Sequence, residues 1–154
     1  MSYIVVTSFN EEGYNKYAQE MLKSFKKHWD KSVTLEAWYH DFKLPKSAPK
    51  AKNIIYKNLN DVKAMLEYRK KMTHISSSHT GDRPYDWKRD CIKWCHKIYG
   101  LTESARGHWH DKTHWMFWLD ADTITHADVP VSFLDKLTAG DKDIIHLGRN
   151  DIDY

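Results

Sequence analysis

The chain has 154 residues, 29% of them charged, and its Lys and Arg residues outnumber Asp and Glu by 24 to 21. This length predicts a single domain with its own core, and no apolar run is long enough to predict a membrane-spanning helix. The mildly basic balance is compatible with a phosphate-bearing ligand, but it is too weak to indicate a nucleic-acid-binding protein.

The two cysteines, Cys91 and Cys95, lie one helical turn apart, which is a poor geometry for a mutual disulfide. Free thiols are typical of a reducing compartment. The first residues show no secretory signal pattern. We therefore expect a cytoplasmic protein.

The first third of the chain alternates predicted strands and helices. Residues 3–10 are β-branched and apolar and then become polar, which predicts a buried strand that ends in a loop. Helical spacing of apolar residues predicts a helix over 14–29. Strands are predicted over 33–39 and 53–56, and the Pro- and Lys-containing stretch 41–52 predicts an exposed loop between them.

The rest of the chain continues this pattern. The predicted elements are, in order, a helix at 61–72, a long loop at 73–86, a helix at 86–101, a strand at 115–119, a helix at 131–137 and a strand at 144–148. On the helix at 86–101, we predict one apolar stripe formed by Trp87, Cys91, Trp94, Cys95 and Ile98. The order of elements predicts an α/β fold: a mostly parallel, Rossmann-like sheet flanked by helices.

The strand at 115–119 is the most informative stretch, because its unbroken apolar run ends in two carboxylates, Asp120 and Asp122. Such a run is typical of a strand buried on both faces, and ligands of open α/β sheets bind at the carboxyl ends of strands. In an extended chain the two side chains would point to the same side. Two converging carboxylates predict a hard divalent cation, Mg²⁺ or Mn²⁺. The alternative is that they are turn or helix-cap residues.

Three features coincide: residues 7–10 (Thr-Ser-Phe-Asn) end the first strand, a basic helix covers 88–97, and residues 118–123 read Trp-Leu-Asp-Ala-Asp-Thr. This arrangement resembles the nucleotide-sugar half of the GT-A glycosyltransferases. The Leu-Asp-Ala-Asp-Thr form is especially similar to the glycogenin-like branch and to related bacterial and phage proteins. The resemblance covers residues 3–148.

The resemblance implies that Asp120 and Asp122 hold a divalent metal, Mn²⁺ or Mg²⁺, that bridges the diphosphate of a nucleotide-sugar donor. It also implies that Asp122 contacts the metal more directly, while Asp120 lies toward the ribose. A Lys or Arg of the preceding helix commonly reaches the donor. The further donor-site residues implied in this way are Thr7, Ser8, Phe9, Asn10, Ala121 and either Lys93 or Lys97.

Proteins of this fold usually continue past the last predicted strand and so supply the acceptor site and a further metal ligand, often a His. This sequence ends at Tyr154, and His146 lies inside a predicted strand, so we do not assign it a role. We expect residues 1–154 to form one nucleotide-sugar-binding domain that lacks the acceptor part, with an acceptor that the sequence does not identify. The alternative is a non-catalytic remnant or interaction module that keeps the fold but lacks an acceptor site. An exposed apolar patch near the C-terminus would instead indicate a missing half or a partner in a homo-oligomer.

Two other metal chemistries deserve comparison. His108, His110, Asp111 and His114 could form a zinc site, since imidazole suits zinc, but their spacing matches no known motif and an exposed loop is the simpler interpretation. An Asp-x-Asp also occurs in haloacid-dehalogenase phosphatases. That pattern has Thr two residues after the second Asp, whereas this chain has Ile124.

Overall fold

The computed structural model describes residues 2–76, 84–108, 110 and 114–140. Its strands are β1 (Ser2–Phe9), β2 (Thr34–Tyr39), β3 (Ile54–Asn58) and β4 (His114–Trp118), and its helices are α1 (Glu11–Gly13), α2 (Gln19–His28), α3 (Lys63–Met72), α4 (Cys91–His108) and α5 (Val131–Leu137). A π-helical segment, Tyr14–Ala18, joins α1 to α2. The strand predicted at 144–148 lies outside the described residues.

The four strands pair in parallel in the order β3-β2-β1-β4, which confirms the predicted α/β class with a parallel sheet flanked by helices. From β1 the chain builds the sheet outward through β2 and β3, and it then returns to place β4 on the other side of β1. The strand order therefore reverses between β1 and β4. In open α/β sheets, the crevice beyond the strand ends at such a point is the usual ligand site.

Alternation along β1 divides the core into two layers, one on each face of the sheet. Tyr3 and Val5 belong to the layer that packs against α2, which contributes residues such as Phe25. Ile4 and Val6 belong to the opposite layer, which contains residues of α3 and α4. Among the described residues, no helix combines the length and the apolar composition needed to cross a membrane.

Helix α4 corrects two predictions. It continues to His108 instead of ending at residue 101, and the predicted apolar stripe is wrong. Three members of that stripe are exposed to solvent, Trp87 (55%), Trp94 (39%) and Ile98 (62%). The buried residues are instead Ile92, Cys95, His96, Gly100 and Ser104.

The sheet beneath α4 explains this buried face, because β2 presents the bulky Trp38 and the charged Glu36 to the helix. The Trp38 ring packs against Gly100, where an added Cβ would lie 3.5 Å from the ring. The Ser104 hydroxyl accepts a hydrogen bond from Trp38 Nε1 at 2.8 Å and donates one to Glu36 at 2.5 Å. Small and polar residues are therefore buried on this face together with apolar ones such as Ile92.

Candidate functional site

A cavity of about 810 Å³ opens at the carboxyl edge of the sheet, among the ends of β1, β2 and β4 and the first half of α4. This volume is in the range of small-molecule binding sites. Every predicted site residue except Thr7 lines it, namely Ser8, Phe9, Asn10, Lys93, Lys97, Asp120, Ala121 and Asp122.

Thr7 is the one predicted site residue that does not line the cavity. Its side chain is fully buried, because strand alternation places it on the core face with Val5, one position short of the cavity. Asn10 does line the cavity, and its side chain also caps the following helix, where Oδ1 accepts a hydrogen bond from the Gly13 amide at 2.8 Å.

The two aspartates reach the cavity from a turn. The prediction of an extended chain at this point, with both side chains on one side, is therefore wrong. The ladder between β1 and β4 ends where the Leu119 amide donates to the carbonyl oxygen of Val6 at 3.0 Å. The Thr123 amide then donates to the carbonyl oxygen of Asp120 at 3.0 Å, which closes a turn. Both Asp120 and Asp122 line the cavity and are exposed.

Asp120 has two hydrogen-bond donors on one oxygen. Its Oδ1 accepts from Trp118 Nε1 at 2.6 Å and from Lys97 Nζ at 3.0 Å. Partial burial by itself raises the pKa of Asp120, but the two hydrogen bonds and the charge of Lys97 outweigh burial, so the pKa lies below its ordinary value. Asp120 is therefore held as a carboxylate.

The structure distinguishes the two candidate lysines of α4. Lys97 Nζ binds Asp120 and also lies over the rings of Trp118, at 4.6 Å, and Trp94, at 5.9 Å. Lys93 is exposed at the cavity wall. Lys97 is thus fixed beside the aspartates, while Lys93 lies one helical turn earlier, with its charged side chain exposed at the cavity wall.

The cavity also contains residues that sequence reasoning missed, above all His40 and Asp41, which follow β2. Asp41 accepts hydrogen bonds from His40 Nδ1 at 3.0 Å and from Arg69 at 2.8 Å. Its φ angle of +63° lies in the left-handed region that non-glycine residues rarely occupy. The signal was available, since His40 and Asp41 are polar residues at the end of a predicted strand.

His40 stacks on His96 of α4, with ring centroids 3.5 Å apart and planes 19° from parallel. Burial lowers the pKa of both histidines, that of His96 to about 3, with the neighbouring His40 also lowering it. Burial alone would raise the pKa of Asp41, but the hydrogen bonds and charges of Arg69 and His40 bring it to about 2. The cavity wall therefore carries two neutral imidazoles beside an ionised carboxylate.

The zinc alternative involves residues on a different side of the fold. His108 Nε2 lies 3.1 Å from Glu36 Oε1, beneath the sheet-facing side of α4. His110 is exposed, and Asp111 and the side chain of His114 lie outside the described residues. His108 is therefore part of the buried Glu36 network in the described part of the chain.

The cavity combines cations with carboxylates. The cationic side chains Lys16, Arg69, Lys93 and Lys97 line it together with the two aspartates of the turn after β4. Comparisons with protein-family models, curated proteins and solved structures found no match for this chain. The family resemblance therefore depends on the motif and its place in the parallel sheet.

Proposed function

We propose that this chain is the nucleotide-sugar-binding domain of a metal-dependent glycosyltransferase of the GT-A type. The observation that carries the proposal is the convergence of two segments distant in sequence. Residues 8–10 at the end of β1 and residues 120–122 after β4 line one cavity, where the strand order reverses. Ligands bind at such points in open α/β sheets.

The carboxylates suit a hard divalent cation such as Mn²⁺ or Mg²⁺. Asp122 is exposed in the cavity wall, and its side chain makes no hydrogen bond or ion pair with a described residue. Asp120 commits Oδ1 to Trp118 and Lys97, which leaves Oδ2 for a further contact. In this proposal Asp122 is therefore the more direct metal ligand. Asp120, which Trp118 and Lys97 hold in place through Oδ1, contributes through Oδ2.

The cationic residues suit the diphosphate. In glycosyl transfer the leaving group is a nucleoside diphosphate, so negative charge grows on its oxygens as the glycosidic bond breaks. A metal ion bound by the aspartates would stabilise that charge. Lys97, fixed beside Asp120, and Lys93 and Lys16, at the cavity wall, would add positive charge around the phosphates.

The test is a calorimetric titration with UDP and GDP, each with and without Mn²⁺. We expect Mn²⁺-dependent binding of at least one nucleotide, its loss in Asp122→Ala, and its retention in Asp61→Ala. Asp61 is a matched control, because it is exposed and does not line the cavity. Binding that needs no metal and survives Asp122→Ala would contradict the proposal.

The second experiment assays turnover of a panel of nucleotide-sugar donors. Release of sugar or its transfer to an acceptor would indicate a transferase, whereas Mn²⁺-dependent nucleotide binding without turnover would indicate a domain that holds the donor only.

A further inference from the structure

The stacked histidines form a second group of metal-ligand atoms in the cavity. One nitrogen each of His40 and His96 and a carboxylate oxygen of Asp41 all lie within 4.8 Å of one another. His40 and His96 are each only 7% exposed, and all three residues line the cavity. Imidazole nitrogen is a preferred ligand of first-row transition metals such as Zn²⁺.

Hydrogen bonding leaves the same ring nitrogen available on both histidines. His40 uses Nδ1 for Asp41. His96 Nε2 is buried with no hydrogen-bond partner among the described residues. An unpartnered nitrogen in a buried ring costs free energy, and a bound cation would remove that cost.

Asp41 has the position of an orienting residue for a metal-binding histidine. Metal-ligating histidines usually donate the other ring N–H to a carboxylate or a backbone carbonyl, which fixes the ring and the tautomer. Asp41 accepts from His40, and Arg69 holds the second oxygen of Asp41 at 2.8 Å. The left-handed backbone at Asp41 is the kind of strain that persists where the surroundings over-determine it.

We propose that His40 and His96 bind a transition-metal ion, with Zn²⁺ as the representative case, through their Nε2 atoms, and that Asp41 orients His40. The remaining coordination positions of the ion would face the cavity. This site is separate from the Asp120 and Asp122 carboxylates, whose oxygen ligands suit hard cations. It does not depend on the proposed function.

The stacked rings define one rearrangement that binding requires. Each lone pair lies in the plane of its ring, so two nearly parallel rings 3.5 Å apart cannot both direct a lone pair at one ion. One ring must therefore turn about its Cβ–Cγ bond. We expect His96 to turn, because Asp41 and Arg69 restrain His40. Metal binding should therefore separate the two rings.

The test is a titration of the metal-free full chain with Zn²⁺ alone, without nucleotide. We expect His40→Gln and His96→Gln each to remove one bound Zn²⁺ per chain or to weaken that site at least about tenfold, and Asp41→Asn to weaken it about 10–100-fold. The control is His74→Gln, because His74 is exposed and lies outside the cavity. It should bind Zn²⁺ as the wild type does.

A readout in the wild-type chain keeps the test independent of whether the variants fold. Zn²⁺ should shift the ¹⁵Nε2 resonances of both His40 and His96 in NMR spectra. Asp122→Ala should keep this response even if it abolishes Mn²⁺-dependent nucleotide binding, so the two proposals can fail separately. Unchanged resonances of His40 and His96, or equal Zn²⁺ binding by wild type, His40→Gln and His96→Gln, would overturn the inference.

Discussion

Lys97 on α4 and Asp120 after β4 form an ion pair at the cavity wall, with Nζ 3.0 Å from Oδ1. The pair joins the basic helix to the Asp-x-Asp turn, two features that were predicted separately. Trp118 supports it from both sides, since its ring lies under Lys97 and its Nε1 donates to Asp120.

Lys97→Met tests this pair. The change leaves the hydrogen bond from Trp118 but removes the second hydrogen bond and the charge that lower the pKa of Asp120. That pKa should therefore rise toward its ordinary value, as measured by ¹³C NMR titration of the carboxyl. Mn²⁺-dependent nucleotide affinity should fall roughly tenfold, which corresponds to about 1.4 kcal/mol. Lys63→Met, exposed at the start of α3, is the control. An unchanged pKa of Asp120 would show that Lys97 does not influence it.

Glu36 lies almost fully buried in the sheet, where Lys57, Ser104 and His108 contact its carboxylate. Glu36→Ala should lower the free energy of unfolding by about 3 kcal/mol in urea denaturation, because the three partners would lose the carboxylate that accepts their hydrogen bonds and balances the charge of Lys57. We take the low end of the usual range, since Lys57 is 30% exposed. Glu67→Ala, on the exposed side of α3, should change stability little. Equal effects of the two substitutions would contradict this role.

Acid should destabilise the metal-free protein through His96. The pKa of His96 is about 3 in the folded chain, whereas its ordinary value is 6.5. At a pH between these two values the unfolded state binds a proton at His96 that the folded state does not bind. The free energy of unfolding should therefore decrease as pH falls below about 6.5, by up to about 1.4 kcal/mol for each pH unit.

The measurement is urea denaturation of wild type and His96→Gln, with a chelator present, at several pH values between 7 and 4. The wild type should lose more stability than the variant over this range. Parallel pH profiles would mean that His96 titrates alike in the folded and unfolded states.

Gly100→Ala should stabilise the chain by about 0.5–1 kcal/mol. Gly100 lies inside α4, where Ala costs less backbone entropy, and an added Cβ would meet the Trp38 ring at 3.5 Å, an ordinary van der Waals distance. Gly100→Leu should destabilise, since the extra atoms have no room against Trp38. A lower thermal midpoint for Gly100→Ala would show that the packing is tighter than this geometry indicates.

The sequence allowed the parallel sheet and much of the cavity wall to be predicted, because both depend on local signals. Apolar runs identify β1 and β4, and polar residues at their ends identify Ser8 and Asp122. Applying the same reasoning to the end of β2 would have found His40 and Asp41. The buried face of α4 could not be predicted from hydrophobicity, because residues such as Ser104 are buried there by contacts with Trp38 and Glu36.

The central claim is that Asp120 and Asp122 hold a divalent cation at the cavity where a nucleoside diphosphate binds. Electron paramagnetic resonance of Mn²⁺ tests it most directly, since protein-bound Mn²⁺ is removed from the sharp signal of the free ion. With UDP or GDP present, wild type should deplete the free-ion signal and Asp122→Ala should not. Equal depletion by the two proteins, or none by the wild type with either nucleotide, would contradict the account.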